Sequence, residues 1–211
     1  MMTVGWPAAS GQGGRYGGRV GNRTAERARM SAVPPLEPAL RLAIALLHSY
    51  WVLQDPVDQL SVTRLRATGR ELGLAEVTDP LGEADLPRLR DLRERLYQVF
   101  AAPDPAARVA TLNEVLTEVS AGTVVESTPE GDLRLTPLPR AAPIGPFAAT
   151  VTGALARAAT TGGADRFGVC AADPCRAPYL DRTRAGRQRY CCELCNNRAA
   201  AAAYRSRSRR G

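Results

Sequence analysis

The chain's five cysteines, Cys170, Cys175, Cys191, Cys192 and Cys195, fall within 26 of its 211 residues. Four of them read C-x4-C-x15-C-x3-C, and taking Cys192 in place of Cys191 turns the second pair into C-x2-C. Two pairs of closely spaced thiols joined by a short insert suit a tetrahedral Zn²⁺ site. Each short loop turns two sulfurs toward one metal about 2.3 Å away, and the insert brings the pairs together. Four sulfurs close the coordination shell, so one structural Zn²⁺ is expected rather than a catalytic ion with an open position. The single histidine, His48, is remote in sequence and lies beside an apolar helical stripe, where a core or boundary role is expected. Two disulfides would need an oxidising compartment, and no export signal is visible. A thioredoxin-type centre would follow a strand in a βαβ unit, and no such unit is present.

The elements around this cluster can be read in order. Residues 1–30 are rich in Gly and Arg and are expected to be disordered; Met30 opens a more ordinary sequence and is a second candidate start. Leu36 to Gln54 carries a helical stripe of Leu40, Ala43, Ile44, Leu47, Tyr50 and Trp51, stopped by Asp55-Pro56. Ser61 to Leu72 gives a second helix ending at Gly73. Asp85-Leu86-Pro87 and Asp104-Pro105 are start signals for a third and a fourth. Leu89, Leu92, Leu96, Val99 and Phe100 form the buried face of the third. Val109, Leu112, Val115, Leu116 and Val119 form that of the fourth. Thr123 to Thr136 changes to period two around Pro129-Glu130-Gly131-Asp132, a β-hairpin. After a proline-rich connector, Pro137 to Pro146, a fifth helix covers Phe147 to Thr160 and ends at Gly162-Gly163. In the cysteine region, Pro178 to Asp181 and Gln188 to Tyr190 read as short strands paired in a hairpin around an Arg- and Gly-containing turn, and five alanines, Ala199 to Ala203, extend a helix from Cys192 through Tyr204.

The fold expected is therefore α+β, mostly α. A helical domain over 36–162 with one β-hairpin precedes a small treble-clef-like four-cysteine zinc finger over 165–206 and a basic tail, 207–211. The first domain shows no phosphate loop, no nucleophile with its base and no carboxylate pair, so no enzymatic activity is expected. No apolar run is long enough to cross a membrane, and a cytoplasmic protein is expected.

Charge is placed unevenly. All 28 basic residues are arginine, which a GC-rich coding bias favours. From Asp165 onward eleven arginines face four acidic residues, a formal +7 equal to that of the whole chain. Zinc bound by four thiolates lowers this local value to about +5, which still suits an anionic partner. Arg182, Arg184, Arg187 and Arg189 crowd the insert. Arg198 and Arg205, seven apart, share a helix face, and Arg207 carries the charge into the tail. Such forks pair with phosphate or with a guanine edge.

The segment Arg166 to Arg205, ending in R-x-Y-C and then C-x-N-R-A, resembles the CGNR zinc-finger family. Cys195, Asn196, Asn197 and Arg198 stand at its name-giving motif. Asn196 replaces the usual glycine, a mild change because Asn tolerates the left-handed region. The resemblance implies Cys170, Cys175, Cys191 and Cys195 as ligands and puts Cys192 where serine is common. The preceding region resembles the helical ABATE domain: the element order agrees and Asp55 to Leu60 fits, while the Asn-Thr usual near the end of the first helix is absent, with His48-Ser49 nearby instead. The resemblance implies a DNA-binding transcription regulator, responsive to stress. Dimerisation, as in other two-domain regulators, would supply two fingers. The alternatives are an RNA-binding protein, a zinc-stabilised protein-interaction module, and a redox or metal sensor using Cys192 as a spare thiol. Strong salt dependence separates a nucleic-acid partner from a protein one, and oxidant-triggered zinc release requiring Cys192 marks the sensor.

Overall fold

The computed structural model describes residues 36–127, 131 and 133–208. The segment expected to be disordered, 1–30, lies outside them, as do most of the hairpin turn and residues 209–211.

The first helix, α1 (Pro38–His48), has proline in its first turn, where the missing N–H costs nothing, and buries Leu40, Leu42, Ala43, Leu46 and Leu47. It ends six residues before the expected Gln54. The Ser49 hydroxyl donates to the Leu46 carbonyl at 2.6 Å, and the chain then reverses on itself. Trp51 N–H donates to Val57 O (2.9 Å), Gln59 N–H donates to Ser49 O (2.7 Å), and Tyr50 pairs with Asp58. This leaves Tyr50 half exposed rather than on the buried stripe.

Ser61 caps α2 (Val62–Glu71), and Gly73 follows with φ +70°, a left-handed turn that glycine permits. A single turn, α3 (Ala75–Thr78), was not legible in the sequence; Thr78 packs so tightly on Gly69 that a Cβ there would lie 2.0 Å from its hydroxyl. Helix α4 (Leu86–Ala101) buries all five expected apolar residues. Asp85 does not cap it; its carboxylate accepts from Gly82 N–H (2.9 Å) in a 3₁₀ turn just before. Asp104 does cap α5 (Pro105–Val119), accepting from Ala107 N–H at 2.8 Å. In α5, Leu112 and Val115 are buried, whereas Val109 is 44% exposed.

Strands β1 (Ser120–Ser127) and β2 (Leu133–Pro139) form the expected antiparallel hairpin, longer at its base than the sequence indicated. It leans on α6 (Gly145–Gly162) through Pro137, which approaches Gly153 so closely that a Cβ would lie 2.6 Å from its ring. Helix α6 runs through the centre of the core, with Phe147, Val151, Ala154 and Leu155 fully enclosed.

The second strand pair departs from expectation. β4 (Pro178–Leu180) pairs antiparallel with β3 (Phe167–Val169), ahead of the first cysteine, and not with residues 188–190. Phe167 is 3% exposed and its ring lies 4.9 Å from that of Phe100, so this pair belongs to the same core as the helices. The fold is thus mostly helical, with two small strand pairs. Helix α7 (Glu193–Ser208) closes the described chain; the expected end at Tyr204 is passed by four residues, which puts Arg207 on the helix. Among the described residues no helix is long and apolar enough to cross a membrane.

One polar knot holds the α1–α2 connection to α4. Arg93, 9% exposed, donates through Nη1 to Asp58 Oδ1 (2.6 Å) and to Ser49 Oγ (2.8 Å), and Arg90 pairs with the other Asp58 oxygen at 2.8 Å. The Arg93 bond, working against partial burial and helped by Arg90 and the Leu60 N–H, holds the Asp58 carboxyl well below the usual carboxylate range. A depressed folded-state pKa stabilises the fold above the unfolded value of about 3.9 and ceases to do so as pH falls through the folded one. Asp58→Asn is therefore expected to cost about 2 kcal/mol at pH 7 and progressively less below about pH 4, in urea melts across that range. An equal cost at pH 7 and at about pH 2.5 would remove Asp58 from this role.

Candidate metal centre and basic helix

Two short loops and the start of one helix build the centre. Cys170 follows β3 directly, and its backbone N–H donates to Ala177 O (3.0 Å), folding the stretch from 171 to 176 into a knuckle that returns Cys175 beside it. Asp173-Pro174, in the cis form, lies in this turn. Ala171 N–H donates to Arg189 O (2.9 Å), which brings the far end of the insert, and hence Cys191, to the knuckle. Cys195 comes from the first turn of α7. The sulfurs of Cys170, Cys175, Cys191 and Cys195 all lie within 4.8 Å of one another. Cys175 to Cys191 is 3.9 Å and Cys191 to Cys195 is 3.7 Å. Four ligands about 2.3 Å from a tetrahedral centre stand about 3.8 Å apart, so this donor set fits Zn²⁺.

The electrostatics favour a cation. Burial raises the Cys191 thiol far above its ordinary value, and the neighbouring Cys175 and Cys195 push the same way. Burial also takes Cys195 up to about 12. At Cys170 burial opposes the thiolate, but N–H groups from Cys191 and Ala172, together with the Cys191 and Cys175 thiols, outweigh it and lower the pKa. Four thiolates in so small a volume repel one another unless a divalent ion sits among them, and binding one expels their protons.

The fifth sulfur, on Cys192, is 3.8 Å from that of Cys191 and lies outside the four-sulfur group. Cys192 is half-buried. The second pair is therefore spaced C-x3-C. Asn196 lies inside α7, in right-handed helical conformation, so replacing glycine there demands no left-handed backbone.

The arginines divide into groups. Arg182, Arg184, Arg187 and Arg189 are exposed on the insert, and Arg189 lies over the Tyr190 ring at 5.8 Å. Arg198 and Arg205 share one face of α7, since seven residues make almost two full turns; Arg207 points to the other side. Arg198 is half-buried, and its Nη1 finds no acceptor among the described residues. Arg205 and Arg207 are exposed. Beyond Ala199 every described residue of α7 is exposed, so the helix stands out from the metal centre.

Sequence reasoning passed over Asp181, which organises the arginine insert. Its buried carboxylate accepts from Thr183 N–H (2.8 Å), the Thr183 hydroxyl (2.6 Å) and Gln188 N–H (2.8 Å). Burial works against its charge, and these three bonds outweigh it, holding the carboxyl below its ordinary range. The Asp-x-Thr spacing, a known turn signal, could have marked it. His48, at the end of α1, bonds the Pro178 carbonyl through Nε2 at 2.8 Å and so ties the finger to the helices.

Residues 37–165 match the ABATE family, described as "Putative stress-induced transcription regulator", and residues 166–208 match the CGNR zinc finger. No curated protein matches the chain.

Proposed function

This chain belongs to the ABATE family and ends in a CGNR zinc finger, and on that premise we propose that it is a DNA-binding transcription regulator responsive to stress. Cys170, Cys175, Cys191 and Cys195 hold one structural Zn²⁺, which fixes the knuckle, the insert and the first turn of α7 relative to one another. The observation that carries the reading is the exposed helix anchored at that centre, with Arg198 and Arg205 on one face and four exposed arginines on the adjoining insert. A helix of this diameter enters a major groove, and arginine forks meet phosphates or guanine edges there. Its work is binding rather than catalysis.

The zinc-loaded full chain is to be titrated with a random duplex-DNA pool at about 50 and 200 mM salt. With six to ten phosphate contacts, affinity is expected to fall about 10³–10⁵-fold between those conditions. Arg205→Ala/Arg207→Ala, which removes only exposed side chains, is expected to flatten the salt slope by about one to two units. No binding at the lower salt by the folded, zinc-loaded chain would overturn the reading.

A protein-interaction role has one observation in its favour. Leu194 and Tyr204 on α7 are 76% and 65% exposed, apolar contacts that a duplex does not require. Binding of a protein partner that persists at the higher salt, without DNA binding, would select it. A sensor role for Cys192 rests on its closeness to Cys191, and would require that peroxide release zinc from the wild type but not from Cys192→Ser.

A further inference from the structure

The α1–α2 connection, α4 and the metal knuckle enclose a cavity of about 340 Å³ that neither the zinc site nor the basic helix uses. Its size falls at the low end of the roughly 300–1,000 Å³ typical of small-molecule sites. Tyr50, Trp51 and Tyr97 give it aromatic walls, and Pro178 adds apolar surface from the finger side.

Two cations converge on it. Arg93 is more than nine-tenths buried, yet only its Nη1 is engaged, by Asp58 and Ser49. Nε and Nη2 of its guanidinium have no protein acceptor among the described residues, and the group lies over the Tyr50 ring, 5.3 Å from its centre. Arg176, the residue after Cys175, also lines it and has no carboxylate partner among the described residues. The Trp51 indole N–H, in the same wall, is buried without an acceptor. Glu94, the acid in the lining, is exposed and takes the Gln98 amide at 2.6 Å. A larger hollow of about 420 Å³ near Arg140 differs in this respect. There Arg95 is paired with Glu118, and Arg140 donates to the Thr117 carbonyl.

We propose that this cavity is a binding site for a small aromatic carboxylate, its ring between Tyr50, Trp51 and Tyr97 and its carboxylate on Arg93 and Arg176. A planar acid matches both features, since the free Nε and Nη2 form a fork suited to a bidentate carboxylate, and stacked rings bury aromatic area. The ligand touches α4 and the knuckle at once, so it ties the finger to the helical part. The assignment is independent of what α7 binds.

The test uses the ¹⁵N-labelled, zinc-loaded full chain and the indole N–H resonance of Trp51, identified by its loss in Trp51→Phe; the chain's other tryptophan is Trp6. The probes are benzoate and 2-naphthoate, with 2-naphthamide as the uncharged match. At least one carboxylate is expected to shift the resonance saturably, with the amide about tenfold weaker or worse. Arg176→Ala, at an exposed position, is expected to weaken carboxylate binding about fivefold. Arg93→Lys, which keeps a cation for Asp58 but loses the fork, is expected to weaken it about tenfold. Absence of a saturable shift with both carboxylates at about 20 mM, the ceiling for a weak fragment, would overturn the proposal. So would an amide that binds equally well, or wild-type affinity in both arginine variants.

Discussion

Replacing Cys175 or Cys195 with serine is expected to take bound zinc from about one ion per chain to below about a tenth, because three sulfurs and a hydroxyl cannot close a thiolate shell. Both residues are almost completely buried, so the hydroxyl would also lack a solvent partner. Structural zinc contributes about 10–16 kcal/mol to small fingers, and the centre here has little apolar core to replace it. The cluster around it consists of the ligand cysteines themselves with Ala172, Ala177 and a few half-buried neighbours. The loss is expected to be local. Strands β3 and β4 are held by Phe167, Val169 and Leu180 in the helical core, not by the metal. The knuckle, the arginine insert and α7 would therefore lose order while the α1–α6 core stays closed. Zinc content by mass spectrometry and amide exchange over 170–208 against 86–101 measure the two halves of this expectation. Full zinc occupancy in both variants would remove these cysteines from the ligand set. Fast exchange throughout α4 would show that the metal supports the whole fold.

The readable parts of this protein are those specified by neighbours in the chain. Cysteine spacing located the metal centre because each ligand pair sits within a short loop, and the alanine run located α7 because helix propensity is a local property. Proline and aspartate marked the starts of α4 and α5 for the same reason. What escaped the sequence depends on partners far away. Strands of three residues carry no period, so 178–181 read as the partner of 188–190, and nothing marked 167–169 as a strand. The core decided between them, since pairing with β3 buries Phe167 against Phe100, 67 positions earlier. The end of α1 was missed because the helical stripe continues to Trp51, while the turn that stops it is closed by Val57, Asp58 and Gln59. Nothing in the sequence singles out Arg93 among the charges of α4; only the approach of Asp58 and Ser49 makes it a buried one. Within the finger, the insert arginines were legible as charge but not as geometry, because the carboxylate that arranges their loop, Asp181, bonds residues on both sides of it.

Phe167→Ala is expected to act in the opposite sense to the cysteine variants, destabilising the whole fold while leaving zinc bound. Phe167 precedes Cys170 by three residues, yet its side chain belongs to the helical core: it is 3% exposed, against Phe100 and among the residues that surround α6. Truncating a buried phenylalanine costs about 3–5 kcal/mol, the transfer of the ring plus the cavity left behind. For a chain of this length that corresponds to a fall in Tm of about 6–20 °C. The metal should survive at 25 °C because none of its ligands moves: Cys170 remains tethered by its N–H to Ala177 O, and the knuckle closes on itself. Calorimetry of the variant, with zinc content measured on the same sample, gives both numbers. Phe167→Leu, which keeps most of the volume, should recover more than half of the lost stability and guards against misfolding of the alanine variant. A Tm within about 2 °C of wild type would mean that the strand pair is held by the metal rather than by the core. The two substitutions together locate the seam at which the metal-built part of the fold gives way to the part built by apolar burial, between Phe167 and Cys170.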